Sequence, residues 1–342
     1  AGIVGIVAVG VVIGASTDAD SGSLIDPADL SSENVLFLTM PSAPETFDPP
    51  LATGAPEGRI AFNCFEGLWM PPNGNGPVEY AIARSHSVSE DGLVWTIQLR
   101  DDARWSNGDP VTAQDFVWSW GRAANPALGA QYGYMFEVIG NVKKFRAGER
   151  KADGSSYTWA DCGVRAIDPF TLEVTLAYPV AFFNELAAFY VWFPIHRPTV
   201  EAHGTAWAQP TNFVSNGAYT LIGNTQQEVR LGRNEQYHSK ESVSIDEVAI
   251  RIIQDPSGVF NNFRTGRLDV VLGNLPPARE PELAAYDEYV LYDFFGTYYY
   301  RVNLEAEGAV GEALRDVRVR RALSLSVSRS DLCALTLNGK PI

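Results

Sequence analysis

Apolar and polar positions alternate over Leu93–Arg100: Leu93, Trp95, Ile97 and Leu99 are separated by Val94, Thr96 and Gln98. A period of two is that of a strand buried on one face. Asn107-Gly108-Asp109-Pro110 follows as turn chemistry, because Gly tolerates positive φ and Pro fixes φ near about −65°. Thr112 and Asp115 then have the spacing of a helix N-cap and its N3 partner, and Phe116 and Trp120 share one helical face. The stretch predicts a strand, a tight turn and a capped helix. A second helical pattern follows Asp316, where Val319, Ala322, Leu323, Ser326 and Val327 recur at i, i+3, i+4, i+7 and i+8. Strands and helices alternate irregularly, which predicts a mixed α/β fold rather than a regular βαβ series.

The N-terminus has a different pattern. Residues 1–17 carry no charged side chain, and their apolar part, 1–14, is short for a membrane span and long enough for a signal-peptide core. Residues 18–34 form a polar linker rich in Ser and Asp. The expectation is a signal or anchor segment over 1–17, cleaved or uncleaved, that makes no core contacts and marks an exported protein. No Cys follows the run closely enough to support a lipid anchor.

With 342 residues and 46% apolar content, the chain is long enough for two domains and a sizeable core. The formal charge of −15 argues against nucleic-acid binding, which needs a basic stripe. The 8 Trp, 14 Tyr and 17 Phe serve core packing and could also line a cleft suited to peptides or sugars. Cys64, Cys162 and Cys333 are far apart and read as small buried hydrophobes. The four histidines read as surface or hinge residues, and no metal-ligand spacing links them to the cysteines. There is no G-x-S-x-G, no P-loop and no H-E-x-x-H. Asn73-Gly-Asn-Gly-Pro77 reads as a surface turn. The expectation is a non-enzymatic protein without metal or cofactor.

The stretch Asp91–Arg100 with Trp105–Trp120 resembles the signature region of the extracytoplasmic solute-binding proteins of family 5, the oligopeptide- and dipeptide-binding proteins of ABC importers. Phe65-Glu-Gly-Leu68 is similar to the segment before that family's first insertion, and Gly163–Asp168 with Thr171–Leu176 to one of its hairpins. Trp207–Pro210 with Val214-Ser-Asn-Gly-Ala-Tyr219 resembles its W-x-x-P and N-G-x-Y segment. Arg233–Tyr237, Gly266–Val270, Thr297–Asn303 and Asp316–Leu323 continue in the family's order, so the resemblance runs from about Val35 to the last residue. The Thr-Tyr-Tyr-Tyr run at 297–300 points to the oligopeptide branch.

The resemblance implies a two-lobed, periplasmic-binding-protein-like α/β fold with an extra domain inserted in the first lobe. The first lobe would comprise 35–65 and 197–297, the insertion 66–196, and an incomplete second lobe 298–342. Hinges would lie near Phe65, Ile195–Arg197 and Thr297–Tyr300. The implied function is binding of extended oligopeptides between the lobes and delivery to the permease subunits of an ABC importer. The protein would be a monomer in the periplasm or at the outer face of the cytoplasmic membrane. The alternatives are a binding protein of the same fold for an oligosaccharide or another small solute, and a non-transport sensor.

A receptor for many peptides must hold the backbone that all peptides share, by strand-like hydrogen bonding. Thr53-Gly54-Ala55-Pro56 is the candidate extended segment: Gly54 lets a ligand backbone approach, and Pro56 ends further pairing. An ordinary surface loop is the competing reading. Tyr132 is the second candidate, its hydroxyl able to donate to a ligand carbonyl, with Tyr134 as a rival in register. Near the later crossing, strand alternation favours Tyr298 and Tyr300 together, or Tyr299 alone. Phe189–Trp192 flank the earlier crossing. The family's acidic anchor for a ligand amino group has no assignable carrier in this sequence.

Overall fold

The structure, a computed structural model, describes residues 12–14, 34–72, 76–273, 275–285, 289–290 and 300–331. Strands β1 (Val12–Gly14) and β2 (Val35–Met40) precede helix α1 (Ala55–Cys64). Short strands β3 (Trp69–Met70) and β4 (Glu79–Tyr80) lead into β5 (Ala83–Val88), β6 (Val94–Leu99) and helix α2 (Ala113–Ala124). Helix α3 (Val142–Arg146), the hairpin β7 (Val164–Asp168) and β8 (Thr171–Thr175), α4 (Phe183–Ala187) and α5 (Arg197–His203) follow. The chain continues through β9 (Tyr219–Asn224), β10 (Glu228–Arg233), β11 (Glu247–Ile252), α6 (Pro256–Arg264) and β12 (Val270–Leu272). The remaining elements are α7 (Glu280–Leu283), β13 (Tyr289–Val290), α8 (Gly308–Arg315) and α9 (Val317–Leu325).

Two four-stranded sheets organise these elements. The first has the order β2-β11-β10-β9 and joins residues before α1 to residues after α5. Its β2 runs parallel to β11, from Val35 opposite Glu247 to Met40 opposite Ile252, and its other pairs are antiparallel. The second, β5-β6-β8-β7, is antiparallel throughout and lies within 83–175. One apolar core runs through both, from Leu38 and Ile250 to Trp95, Ile97, Trp120 and Trp192. A smaller cluster of Val259, Phe260, Phe263, Leu268, Val271 and Leu283 packs under β12.

The strand, turn and helix read from the sequence are present. On β6, Trp95, Ile97 and Leu99 are buried while Gln98 is exposed. Gly108 takes φ 95° in the turn. At the start of α2 the Thr112 amide donates to Asp115 Oδ2 at 2.8 Å, and Thr112 Oγ1 lies 2.9 Å from the same oxygen. Phe116 and Trp120 are fully buried, and Trp120 Nε1 donates to the Trp192 carbonyl at 2.7 Å. On α9 the apolar stripe is surface-exposed among the described residues, with Leu323 50% and nearby Val327 48% accessible.

Two expectations need correction. Val12–Gly14 pairs antiparallel with β12 on one side and β13 on the other, so these three residues of the apolar run do contact the fold. A Val- and Ile-rich segment has high strand propensity, and the unpaired edge of a short strand offers hydrogen bonds to it. Two of the four histidines are interior. His196 is 4% exposed, 2.6 Å from Thr199 Oγ1 and 3.0 Å from Asp109 Oδ2. The His238 side chain is equally enclosed, 2.7 Å from Glu66 Oε2. Both are polar residues in loops whose partners come from distant parts of the chain, which no local pattern reveals. Cys64 and Cys162 are free and buried, and burial pushes both thiols up, Cys162 to about 12. Cys333 lies outside the described residues.

The Asn-Gly pair at 216–217 sits where the two sheets meet. The Asn216 side chain accepts from the Glu66 amide at 3.1 Å and donates to the Glu66 carbonyl at 3.0 Å, replacing a strand partner. Gly217 donates to the Cys64 carbonyl at 2.8 Å. A Cβ on Gly217 would lie 2.7 Å from the Cys64 carbonyl carbon and 2.7 Å from the Phe65 nitrogen, both backbone atoms that cannot rotate away. Gly217→Ala is therefore expected to lower stability by about 1–3 kcal/mol in urea unfolding. An unchanged midpoint would show that the seam relaxes without cost.

Candidate functional site

The segment that leads into α1 is fixed from several directions. Asp48 is buried and takes a two-pronged contact from Arg122 of α2, Nη1 to Oδ1 at 3.0 Å and Nη2 to Oδ2 at 2.6 Å. Trp207 Nε1 donates to the same carboxylate at 3.4 Å. Paired planar groups of this kind constrain orientation as well as distance. Further along, the buried Glu57 accepts from the Glu45 amide at 2.6 Å. Gly54 is the N-cap of α1 with extended backbone, φ −107° and ψ 167°. A Cβ on Gly54 would collide with Glu57 Oε2, so a side chain here would displace the carboxylate that ties down residue 45.

Two tyrosines brace the same segment from the other sheet's side. Tyr190 Oη donates to the Ala52 carbonyl at 3.4 Å, and Tyr132 Oη to the Thr53 carbonyl at 3.3 Å. The Tyr132 ring meets Phe189 edge-on at 5.5 Å, and Phe189 lies 4.1 Å from Tyr190. Gly58 of α1 packs on the Tyr190 ring; a Cβ there would come within 3.1 Å of it. Burial, followed by the proximity of Tyr132 and Glu57, pushes the Tyr190 hydroxyl well above the usual phenol range, so it stays protonated and able to donate. Each hydroxyl has one hydrogen, committed here to a protein carbonyl, and its lone pairs remain as acceptors. This reverses the expected polarity at Tyr132: what it offers a ligand is an acceptor for N–H rather than a donor.

The structure brings Thr53, Gly54 and Tyr132 together. Ala55 and Pro56 are not part of an extended strand; they are the first two residues of α1. Pro is favoured in a helix's first turn, where its missing N–H leaves no bond unmade, and Gly serves as N-cap. The same Gly-x-Pro chemistry that resembles a strand stop is therefore also a helix start. Tyr134 is 57% exposed, 6.5 Å from Tyr132 ring to ring. Tyr300 is 88% exposed. Tyr298 lies outside the described residues. Sequence reasoning missed Asp48 and Glu57. Their only local signal is an acidic residue beside a helix start, which surface residues share. Among the described residues no group of three or more His, Cys, Asp and Glu side chains could hold a metal ion. No helix among them is long and apolar enough to cross a membrane.

Comparison with known proteins extends this picture. The profile of the bacterial extracellular solute-binding proteins, family 5, middle region, matches residues 77–341. The chain is similar to the periplasmic oligopeptide-binding protein OppA of Salmonella typhimurium, 33% identical over 330 residues that cover 95% of this chain and 58% of that protein. It is also 33% identical over 306 residues to a probable deoxycholate-binding periplasmic protein, YgiS, of Escherichia coli, covering 88% of this chain and 54% of the relative. Among solved structures, Haemophilus influenzae OppA in complex with RPPGFSPFR superposes with a TM-score of 0.69 at 31% identity, over 74% of this chain and 48% of that one. The chain spans little more than half the length of these curated relatives.

The braced geometry generates a stability prediction. Tyr132→Phe and Tyr190→Phe each remove only a hydroxyl that donates to a loop carbonyl. Each is expected to lower unfolding stability by about 0.5–1.5 kcal/mol. If neither variant changes the unfolding midpoint, the hydroxyls do not brace residues 52–53.

Proposed function

The chain belongs to the bacterial extracellular solute-binding proteins of family 5, and from that membership we propose that the protein is the peptide-binding component of an ABC importer. It holds extended oligopeptides and passes them to membrane permease subunits. The protein acts outside the cytoplasm, as a monomer, and carries out no chemistry on its ligand. Thr53, Gly54 and Tyr132 contact the peptide, and Tyr298 and Tyr300 contact it from the segment that follows β13.

The observation that carries this reading is the braced segment itself. Tyr132 and Tyr190 tie down successive carbonyls at Thr53 and Ala52, next to a glycine with extended backbone. Such a segment offers main-chain groups and hydroxyl lone pairs at fixed positions, which suits a ligand recognised through its own backbone. Holding these groups in place before binding also reduces the ordering cost of association. The oligopeptide-binding relative and the solved peptide complex support the same ligand class.

One observation favours a second reading. A relative of equal identity is named for deoxycholate, and the aromatic group of Tyr132, Tyr134, Phe189 and Tyr190 could pack against a rigid apolar solute. The lone pairs of the bracing hydroxyls accept from amide N–H groups and do not suit the carboxylate of a bile acid, which only accepts.

Calorimetry on the full-length natural protein separates the two. Mixed tri- to pentapeptides are expected to bind with affinities that vary little with side chain. Heat from deoxycholate or an oligosaccharide, with none from any peptide, would overturn the proposal.

A further inference from the structure

We propose that the corner formed by α3 and the hairpin after it docks on an anionic phospholipid membrane and sets which side of the protein faces the bilayer. The proposal rests on the extracytoplasmic reading above and adds a partner to it. Lys143, Lys144, Arg146, Arg150 and Lys151 put five cations into nine residues, a density reached nowhere else in a chain whose formal charge is −15. Within 143–153 they face two acidic residues in sequence, Glu149 and Asp153. The other arginine-rich run, 315–321, is largely spent on its own fold. Arg315 and Arg320 turn onto backbone carbonyls, and Arg318 pairs with Asp316.

The corner is held in shape. Arg150 pairs antiparallel with Ser156, the Lys151 amide donates to the Ser155 carbonyl at 2.7 Å, and the Tyr157 amide donates to the Glu149 carbonyl at 3.0 Å. Phe145 of α3 meets the Trp159 ring at 6.0 Å, and Trp159 Nε1 donates to the Val117 carbonyl of α2 at 2.8 Å, which pins helix and hairpin to the core. Lys144 from the helix and Lys151 from the hairpin converge on Tyr157, 5.0 and 5.7 Å from its ring centre. The ring attracts both, but the two ammonium groups repel each other. Asp161 pairs with Lys151 at 2.5 Å and Glu137 with Arg146 at 3.1 Å. Lys143, Lys144 and Arg150 are exposed, and among the described residues none of the three forms an ion pair. Screening decides what such a corner can do. At physiological salt, charges beyond about 8–10 Å are largely hidden, so at contact the local cations outweigh the distant negative surface. The same negative charge turns every other face away from an anionic bilayer. Clustered lysine and arginine side chains are what anionic leaflets attract, and a tyrosine suits the boundary between apolar and wet.

The test is co-sedimentation of the full-length natural protein with two kinds of vesicle, phosphatidylcholine alone and an equimolar mixture with phosphatidylglycerol. At low salt the bound fraction is expected to be about fivefold or more higher on the anionic vesicles, and raised salt should remove the difference. Residues 1–14 are uncharged, so whatever they add is the same on both vesicles. Combining Lys143→Glu, Lys144→Glu and Arg150→Glu should abolish the preference while the heat of peptide binding stays unchanged. The same three positions changed to Gln cover the case in which the Glu set does not fold. Combining Arg84→Glu, Arg165→Glu and Arg279→Glu alters the net charge equally on exposed, ion-paired arginines and should leave the preference in place. Equal binding of the unaltered protein to both vesicles would overturn the proposal. So would a preference that survives at 143, 144 and 150, or one that both Glu sets reduce alike. None of these results touches peptide binding, which the calorimetry reads separately.

Discussion

Glu66 is the residue around which the two sheets are joined. It lies just past α1, where the chain leaves the first sheet for the second, and it is buried. Its carboxylate accepts from Tyr237 Oη at 2.5 Å and from His238 at 2.7 Å, while its backbone is paired on both sides by Asn216. Removing one member of such a network leaves a buried charge or amide unpaired, a larger penalty than the net gain from making the bond. Tyr237 and its neighbours follow β10 of the first sheet, and residues beyond Glu66 enter the second. Together with the apolar core that runs through both sheets, these bonds hold one sheet against the other at the end of α1.

Once α1 is directed, the geometry of the braced segment is nearly determined. Gly54 begins the helix, so residues 52–53 emerge at its N-terminal end, beneath Tyr132 and Tyr190. Arg122, anchored in α2 by the burial of Phe116 and Trp120, reaches Asp48 and stops the preceding loop from swinging. Aromatic rings, whose conformational cost on ordering is small for the area they bury, provide the rest of the support. The candidate site is thus assembled from residues near positions 53, 132 and 190, far apart in the chain, on elements whose own placement is decided by the core.

Much of the local structure was legible in the sequence because it depends on neighbours. Alternation over residues 93–99 gives a strand whatever it packs on. The Thr112–Asp115 spacing gives a cap because both hydrogen bonds close within one turn. The candidate status of Thr53, Gly54 and Tyr132 also came from sequence, through resemblance rather than periodicity. Ala55 and Pro56 were placed on the wrong side of a boundary, because Gly followed shortly by Pro serves equally to stop a strand and to start a helix; in the fold Gly54 is the N-cap, and Gly58 of the helix packs on the Tyr190 ring.

What the sequence determined by itself was the class of fold, the element types where hydrophobic periodicity is strong, and the family to which the ordered motifs belong. What only the tertiary structure decided was which polar residues are interior and whom they meet. Asp48 pairs with Arg122, Glu66 with Tyr237 and His238, and Tyr132 with Thr53, at separations of 74, 171, 172 and 79 residues. Arg59 meets carbonyls on two different strands. The physical reason is that burying a polar group is tolerable only when a specific partner arrives in three dimensions, and no one-dimensional pattern encodes which partner that will be.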